Sequence, residues 1–247
     1  MLKRSVDVTL SSVALIVLSP VLLMVVVCIL VADGRPIFYR GVRVGRFGRV
    51  FRIFKFRTMV VDAERLGGSA TADTDIRITR IGRVLRRHKL DELPQLINVL
   101  RGDMSLVGPR PEVPEYMELL TQAEQGILSV RPGITDWASL WDADEGALLA
   151  RSSQPERLYL DFVRPEKVKL QLEYVRSQSA WTDLLILCKT AYVIMFKPVP
   201  PSFADLDRYA AGLVQGRSSI PGDGLSGHSC LDENEQNATI VGDRGEM

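Results

Sequence analysis

Two adjacent carboxylates, Asp91 and Glu92, head the segment Leu90-Asp91-Glu92-Leu93-Pro94-Gln95-Leu96-Ile97-Asn98-Val99-Leu100-Arg101-Gly102, and a Gly108-Pro109-Arg110-Pro111 turn follows closely. Carboxylates in a neighbourhood crowded with arginines suit phosphoryl chemistry, because an acid meets an anionic phosphate only where cations offset the repulsion. Leu93, Leu96, Ile97 and Leu100 fall at i, i+3, i+4 and i+7, which predicts a helix closed by Gly102, with Pro94 in its first turn. Asp91 and Glu92 then stand at the positive end of the helix dipole. A plainer role is open to the same pair, in which Asp91 is an N-cap and Glu92 a first-turn acid.

The surrounding charge favours the chemical reading. From Gly34 to Met59 there are eight basic residues (Arg35, Arg40, Arg43, Arg46, Arg49, Arg52, Lys55 and Arg57) and no acidic one. Arg77, Arg80, Arg83, Arg86, Arg87 and Lys89 then lead up to the acid pair. The 247-residue chain carries a net charge of only +1, so the excess is local. Such a field serves an anionic lipid surface, a nucleic acid or a phosphorylated substrate.

These groups need elements to hold them, and the first is apolar. Val13 to Ala32 is a run of twenty uncharged residues, long enough to cross a bilayer as a helix. Lys3 and Arg4 flank one end and the basic segment the other, so the positive-inside rule draws both ends toward the cytoplasm. Ser19-Pro20 interrupts the run, and a helix that kinks there and returns to the face it entered satisfies both pulls. The freed backbone groups need cover, for which the Ser19 hydroxyl is suited. A kinked spanning helix is the alternative.

Residues 34–201 are sufficient for one globular domain. Ile37–Arg40 and Val50–Arg57 are rich in aromatic and branched residues, the second alternating, with a turn at Gly45-Arg46-Phe47-Gly48 between them, which predicts a β-hairpin. Glu112–Leu128, Glu156–Phe162 and Val168–Phe196 read as helices, with breaks at Arg131-Pro132-Gly133 and Arg164-Pro165. Trp181, Leu184, Leu185, Cys188 and Tyr192 line one side of the last, which suits core or the membrane interface. Cys28, Cys188 and Cys230 have no zinc or redox spacing, and His88 reads as a surface neighbour of the acids. From residue 202 to 247 eight acids, three arginines and few apolar residues predict a disordered tail. The expected organisation is an α+β, mostly helical membrane-associated domain: a re-entrant anchor over 1–33, a cytosolic domain over 34–201 with a short β-hairpin and interfacial amphipathic helices, and the tail.

Together these blocks resemble the bacterial sugar transferases, the small monotopic polyprenyl-phosphate hexose-1-phosphate transferases. Lys3-Arg4-x-x-Asp7 with the Ser19-Pro20 run resembles their re-entrant helix. Phe51-Arg52-Ile53-Phe54-Lys55-Phe56-Arg57-Thr58-Met59, Arg77-Ile78-Thr79-Arg80-Ile81-Gly82, the Leu90–Gln95 and Gly108–Glu112 blocks and Val130-Arg131-Pro132-Gly133-Ile134-Thr135 match over residues 3–197.

The resemblance implies transfer of a sugar 1-phosphate from a UDP-sugar to undecaprenyl phosphate with release of UMP, at the cytoplasmic face of the bacterial inner membrane, in exopolysaccharide or glycoconjugate synthesis. It implies Asp91 as nucleophile through an aspartyl phosphosugar, Glu92 as its partner, Mg²⁺ at Asp91, and Arg86, Arg110, Lys55 and Arg57 at the phosphates. Membrane lipids are the expected surroundings, and a homodimer is left open. Asp136-Trp137-Ala138-Ser139 stands where the family pattern has Gly-Trp-Ala-Gln, and Gln171 where many members carry aspartate. Two rivals are a membrane-tethered anion- or nucleotide-binding module without catalysis and a nucleic-acid surface. The first has no use for the acid pair, and the second no use for the anchor, so no nucleic-acid partner is expected.

Overall fold

The computed structural model describes residues 2–68 and 70–208; residues 1, 69 and 209–247, the last holding most of the expected tail, lie outside the described residues. A 31-residue helix, α1 (Leu2–Ala32), opens the chain. It runs on through Pro20, whose missing N–H deprives the Ile16 carbonyl of its donor. The Ser19 hydroxyl supplies one instead, at 2.7 Å. At 1.5 Å per residue α1 is about 46 Å long, and among the described helices it alone is long and apolar enough to cross a membrane.

Both ends of α1 seat on the rest of the domain while Val13, Ile16, Val17, Leu23 and Met24 face outward. At the N-terminal end Lys3 Nζ donates to the Val107 carbonyl at 3.0 Å and to Asp183 Oδ2 at 2.5 Å. Arg4 donates to the carbonyls of Val99 and Leu100. Buried Asp7 accepts from Ser105 Oγ at 2.8 Å and Leu106 N at 3.1 Å. At the other end Val25 and Ile29 bury against Phe56 and Leu85.

The expected hairpin follows in β1 (Phe38–Tyr39), β2 (Val42–Val44), β3 (Val50–Arg52) and β4 (Lys55–Phe56). β2 pairs with β3 and β1 with β4, antiparallel and in one register from Val44↔Val50 out to Phe38↔Phe56. Phe47 and Gly48 turn the chain with φ of 60° and 74°. Between β3 and β4 the ladder is interrupted, and the Asn98 side chain takes its place. Phe54 N donates to Asn98 Oδ1 at 2.8 Å, and Asn98 Nδ2 donates to the Arg52 carbonyl at 3.0 Å.

Next come α2 (Arg80–Arg87), capped by the Thr79 hydroxyl, and α3 (Gln95–Arg101), closed by Gly102 at φ 88° as its spacing requires. α3 packs against α1. β5 (Ser105–Val107), α4 (Pro114–Met117) and β6 (Gly133–Thr135) follow, β5 and β6 forming a parallel pair that the sequence did not announce. The remaining helices are α5 (Trp137–Trp141), α6 (Glu145–Leu149), α7 (Pro155–Leu158), α8 (Arg164–Ser177), α9 (Ala180–Phe196) and α10 (Pro201–Arg208). Trp141, Leu148, Leu149, Tyr159, Phe162 and Val163 form the largest buried cluster.

Several expected helices are subdivided. Glu112–Leu128 holds only α4 and a 3₁₀ turn at Glu124–Ser129, because Thr121 and Glu124 bond each other's backbone and restart the chain. Val168–Phe196 breaks at Gln178-Ser179, where the Ser179 hydroxyl caps α9 by accepting from Thr182 N. Arg164-Pro165 is no break: Pro165 lies in the first turn of α8, where its missing N–H costs nothing. Residues 202–207, expected to begin a tail, lie in α10, which turns 87° from α9 and packs Phe203 and Leu206 on the largest core cluster.

Asp7 generates a stability test. Asp7→Ala strands the Leu106 N–H and the Ser105 hydroxyl in a buried place, so it is expected to cost about 2–4 kcal/mol, with Asp7→Asn costing less because one acceptor survives. Denaturant titration in detergent reads this; equal stability of Asp7→Ala and wild type would show that α1 is not held there.

Candidate active site

The acid pair lies in a 3₁₀ turn, Leu90–Glu92, entered from Lys89 in the left-handed region at φ 54°. Pro94 occupies the N-cap position of α3 and no side chain caps that helix, so Asp91 is not the cap the helix pattern allowed. Asp91 is buried, and its Oδ1 has no hydrogen-bond partner.

Glu92 is held from two sides. Lys55 Nζ, from β4, donates to Oε1 at 2.9 Å. Arg110, from the turn after β5, donates through Nη2 to Oε1 at 2.5 Å and through Nη1 to Oε2 at 3.2 Å, a forked pair. Burial alone would push the Glu92 carboxyl up, but Arg110 and Lys55 hold it well below the usual carboxylate range. Burial, and then the Glu92 charge, push Asp91 up. Burial also lowers Lys55, and Glu92 raises Arg110. The arrangement therefore gives two adjacent acids different characters: one neutralised and fixed, one buried with a free oxygen.

Arg110 is itself positioned by packing of the backbone. Gly108 N donates to the Thr135 carbonyl and Gly133 N to the Pro109 carbonyl, so the turn lies directly on β6. A Cβ on Gly108 would stand 2.4 Å from the Arg131 oxygen, which is why glycine is required there. Asp136, fully buried, accepts the Arg110 N–H on Oδ2 at 3.2 Å, while its Oδ1 accepts from Ser139 N and Oγ, both at 2.7 Å. Asp136 and Ser139, the departures from the family pattern, thus cap α5 and pin the Arg110 turn together.

Behind Arg110 lies a second charged layer. Lys167 bonds Glu145 and stands 3.8 Å from Asp142 Oδ2, and Tyr159 donates to Glu112 at 3.0 Å. Burial raises Asp142 to about 6 and also raises Glu112.

Asp91, Glu92, Lys55 and Arg110 are brought together as expected. Arg86, half-buried in the last turn of α2, acts on Asp91 through its charge without a hydrogen bond to it. Arg57 is elsewhere: it is buried and donates to the carbonyls of Asp33, Gly34 and Arg35, so it ties down the exit of α1 rather than facing the acids. Alternation alone would put Arg57 on the face of Lys55, but β4 ends at Phe56 and Arg57 leaves the strand. Lys89, counted in the sequence only as part of the basic field, belongs to the site as well, since its charge acts on both acids. The sequence reading missed Asp136, although Asp-x-x-Ser ahead of an apolar turn is a helix-start signal. Among the described residues no three Asp, Glu, His or Cys side chains form a metal cage. The free Asp91 oxygen fits a cation of the Mg²⁺ type, which takes one or two carboxylates and completes its shell with substrate phosphates and water.

The chain belongs to the bacterial sugar transferase family, whose model matches residues 1–197. It is similar to an undecaprenyl-phosphate glucose phosphotransferase of Komagataeibacter xylinus, 40% identical over 195 residues that cover 76% of this chain and 35% of that one. It is similar to the UDP-glucose:undecaprenyl-phosphate glucose-1-phosphate transferase of Escherichia coli (strain K12), 35% identical over 198 residues, 78% of this chain and 40% of that one. A third relative is the exopolysaccharide production protein ExoY of Sinorhizobium fredii, 36% identical over 203 residues, 76% of this chain and 83% of that one. The chain thus spans well under half the length of the first two and most of the third.

The coupling of the two acids has a measurable sign. The Glu92 charge raises Asp91, so in metal-free protein Glu92→Gln is expected to move the Asp91 titration down, keeping it ionised to lower pH. Carbon-13 NMR of labelled aspartate reads the shift. An Asp91 titration that stays in place would mean the two carboxyls do not interact.

Proposed function

We propose that the chain transfers a sugar 1-phosphate from a UDP-sugar to undecaprenyl phosphate, releasing UMP, in exopolysaccharide or glycoconjugate synthesis. The observation that carries this reading is Asp91: a buried carboxylate with an unpartnered oxygen, beside a glutamate that two cations have already neutralised.

In the first step an Asp91 oxygen attacks the sugar-linked phosphorus. A phosphorus–oxygen bond to Asp91 forms, the bond to the bridging oxygen breaks, and the electron pair leaves with UMP. In the second step an oxygen of the lipid phosphate attacks the same phosphorus, Asp91 leaves as carboxylate, and undecaprenyl diphosphate sugar forms. Lys55, Arg86 and Lys89 act on Asp91 through their charge, and Arg110, bonded to the adjacent Glu92, adds a further cation to offset charge on the incoming diphosphate. Glu92 keeps Arg110 and Lys55 in place rather than attacking, since both its oxygens are occupied. Asp91 would hold Mg²⁺, which when bound would supply charge neutralisation for the donor diphosphate as UMP leaves.

The fold supports a membrane-surface site. α1 is gripped at both ends by the same globular body, which favours both ends lying on one face of a bilayer and a helix that re-enters rather than spans. The basic flanks favour the cytoplasmic side of the inner membrane for that face. Trp181, Leu184, Tyr192, Met195 and Phe196 on α9 are exposed apolar groups suited to a membrane interface. A lipid phosphate at the interface then reaches Asp91 from the headgroup level.

The test is turnover of a panel of UDP-sugars by the full chain in phospholipid vesicles with undecaprenyl phosphate and Mg²⁺. UMP release that depends on the lipid phosphate is expected, and Asp91→Asn should lower it by about 10³-fold or more. UDP binding without turnover of any donor would make the chain an anion-binding module instead.

A further inference from the structure

α10 lies beyond residue 197, where the family match ends, yet it is bonded to the helix that pins Arg110. The Ser202 hydroxyl, fully buried, donates to Asp142 Oδ1 at 3.1 Å. Trp141 Nε1 donates to Asp205 Oδ2 at 2.7 Å. Phe203 packs into the core beside Trp141 and Phe162, and the Arg151 guanidinium lies 4.3 Å over its ring. Trp141 and Asp142 are the C-terminal end of α5, and Asp136 is its N-cap. α5 is therefore a short strut with one end on α10 and the other on the Arg110 N–H.

We propose that α10 is a positioning element of the active site, with Ser202 and Asp205 fixing α5 so that Asp136 holds the Arg110 turn in place for its forked bond to Glu92. This rests on the transferase reading above for its catalytic meaning, but the geometric part stands apart from it. A second route runs the same way: Asp142, bonded by Ser202, faces Lys167, which bonds Glu145, and both Glu145 and Glu112 act on Arg110 through their charge. Loss of α10 would open the side chain of Asp142 to water and leave the Trp141 N–H without its acceptor. The five-residue α5 is too short to be stable by itself, so its direction depends on its tertiary contacts, with α8 and α9 along its side and α10 at its end.

The sequence offers a clean readout. Pro109 and Pro111 carry no N–H, so Arg110 contributes the one exchangeable backbone amide in Pro109-Arg110-Pro111, and that amide is the donor to Asp136. Amide hydrogen exchange of the full chain in vesicles is compared with Ser202→Ala, Asp205→Ala, Asp205→Asn and a chain ending at Pro200. Faster exchange at Arg110 is expected in Asp205→Ala and in the truncated chain, by about tenfold, the equivalent of 1.4 kcal/mol. Ser202→Ala should accelerate it less, and Asp205→Asn, which keeps an acceptor for Trp141, should restore protection. UDP affinity, read by calorimetry, should weaken in the same order. Unchanged Arg110 exchange and UDP affinity in Asp205→Ala would overturn the proposal, even if the truncated chain fails to fold. Faster exchange at Arg110 in a chain that turns over no donor would overturn the transferase reading and leave the strut standing.

Discussion

Two carboxylates joined by one peptide bond cannot both be buried as anions unless something cancels their charge, and that constraint organises this molecule. Glu92 answers it by meeting Lys55, 37 residues earlier, and Arg110, 18 residues later. Because three chain segments must converge on one side chain, the hairpin has to deliver Lys55 and the β5–β6 pair has to deliver Arg110. Asp91 is left as the buried acid with an unpartnered oxygen, and its character depends on Glu92 being satisfied elsewhere.

The same turn is tied to the anchor. α3 begins directly after the acids and lies against α1, whose Arg4 bonds the carbonyls at the end of α3. Arg57 and Thr79 hold the other end of α1 through the backbone of residues 33–35 and the Asp33 carboxylate. A long apolar helix would otherwise settle at any depth and angle in a bilayer. On the proposed transferase reading, gripping both ends would set the height of the acids above the lipid, as a reaction between a water-soluble donor and a lipid phosphate requires.

Much of this was legible because it depends on local chemistry. The hairpin announced itself by alternation around Gly45–Gly48, α3 by its spacing and Gly102, and the proline repair by Ser19 beside Pro20. Asp91 and Glu92 stood out by their company, and the resemblance to known transferases added Lys55 and Arg110. What stayed hidden depends on distance in the fold. Nothing in the sequence distinguishes Arg57, which bonds carbonyls, from Lys55 two residues before it, which bonds an acid. Asn98 lies in α3, and nothing local shows that its side chain completes a strand ladder. The β5–β6 pair is too short to show a pattern, and Ser202 and Asp205 read as part of a polar tail because their partners lie some sixty residues away.

The central claim is that Asp91, and not Glu92 or the lipid phosphate, first bonds the sugar-linked phosphorus. The most direct measurement is mass spectrometry of the full chain quenched in acid after mixing with a turned-over UDP-sugar and Mg²⁺ in vesicles without undecaprenyl phosphate. The account predicts a mass increase of one sugar phosphate, mapped to the peptide that contains Asp91, with no more than about one UMP released per chain. An unmodified chain, or a label on another residue, would contradict it.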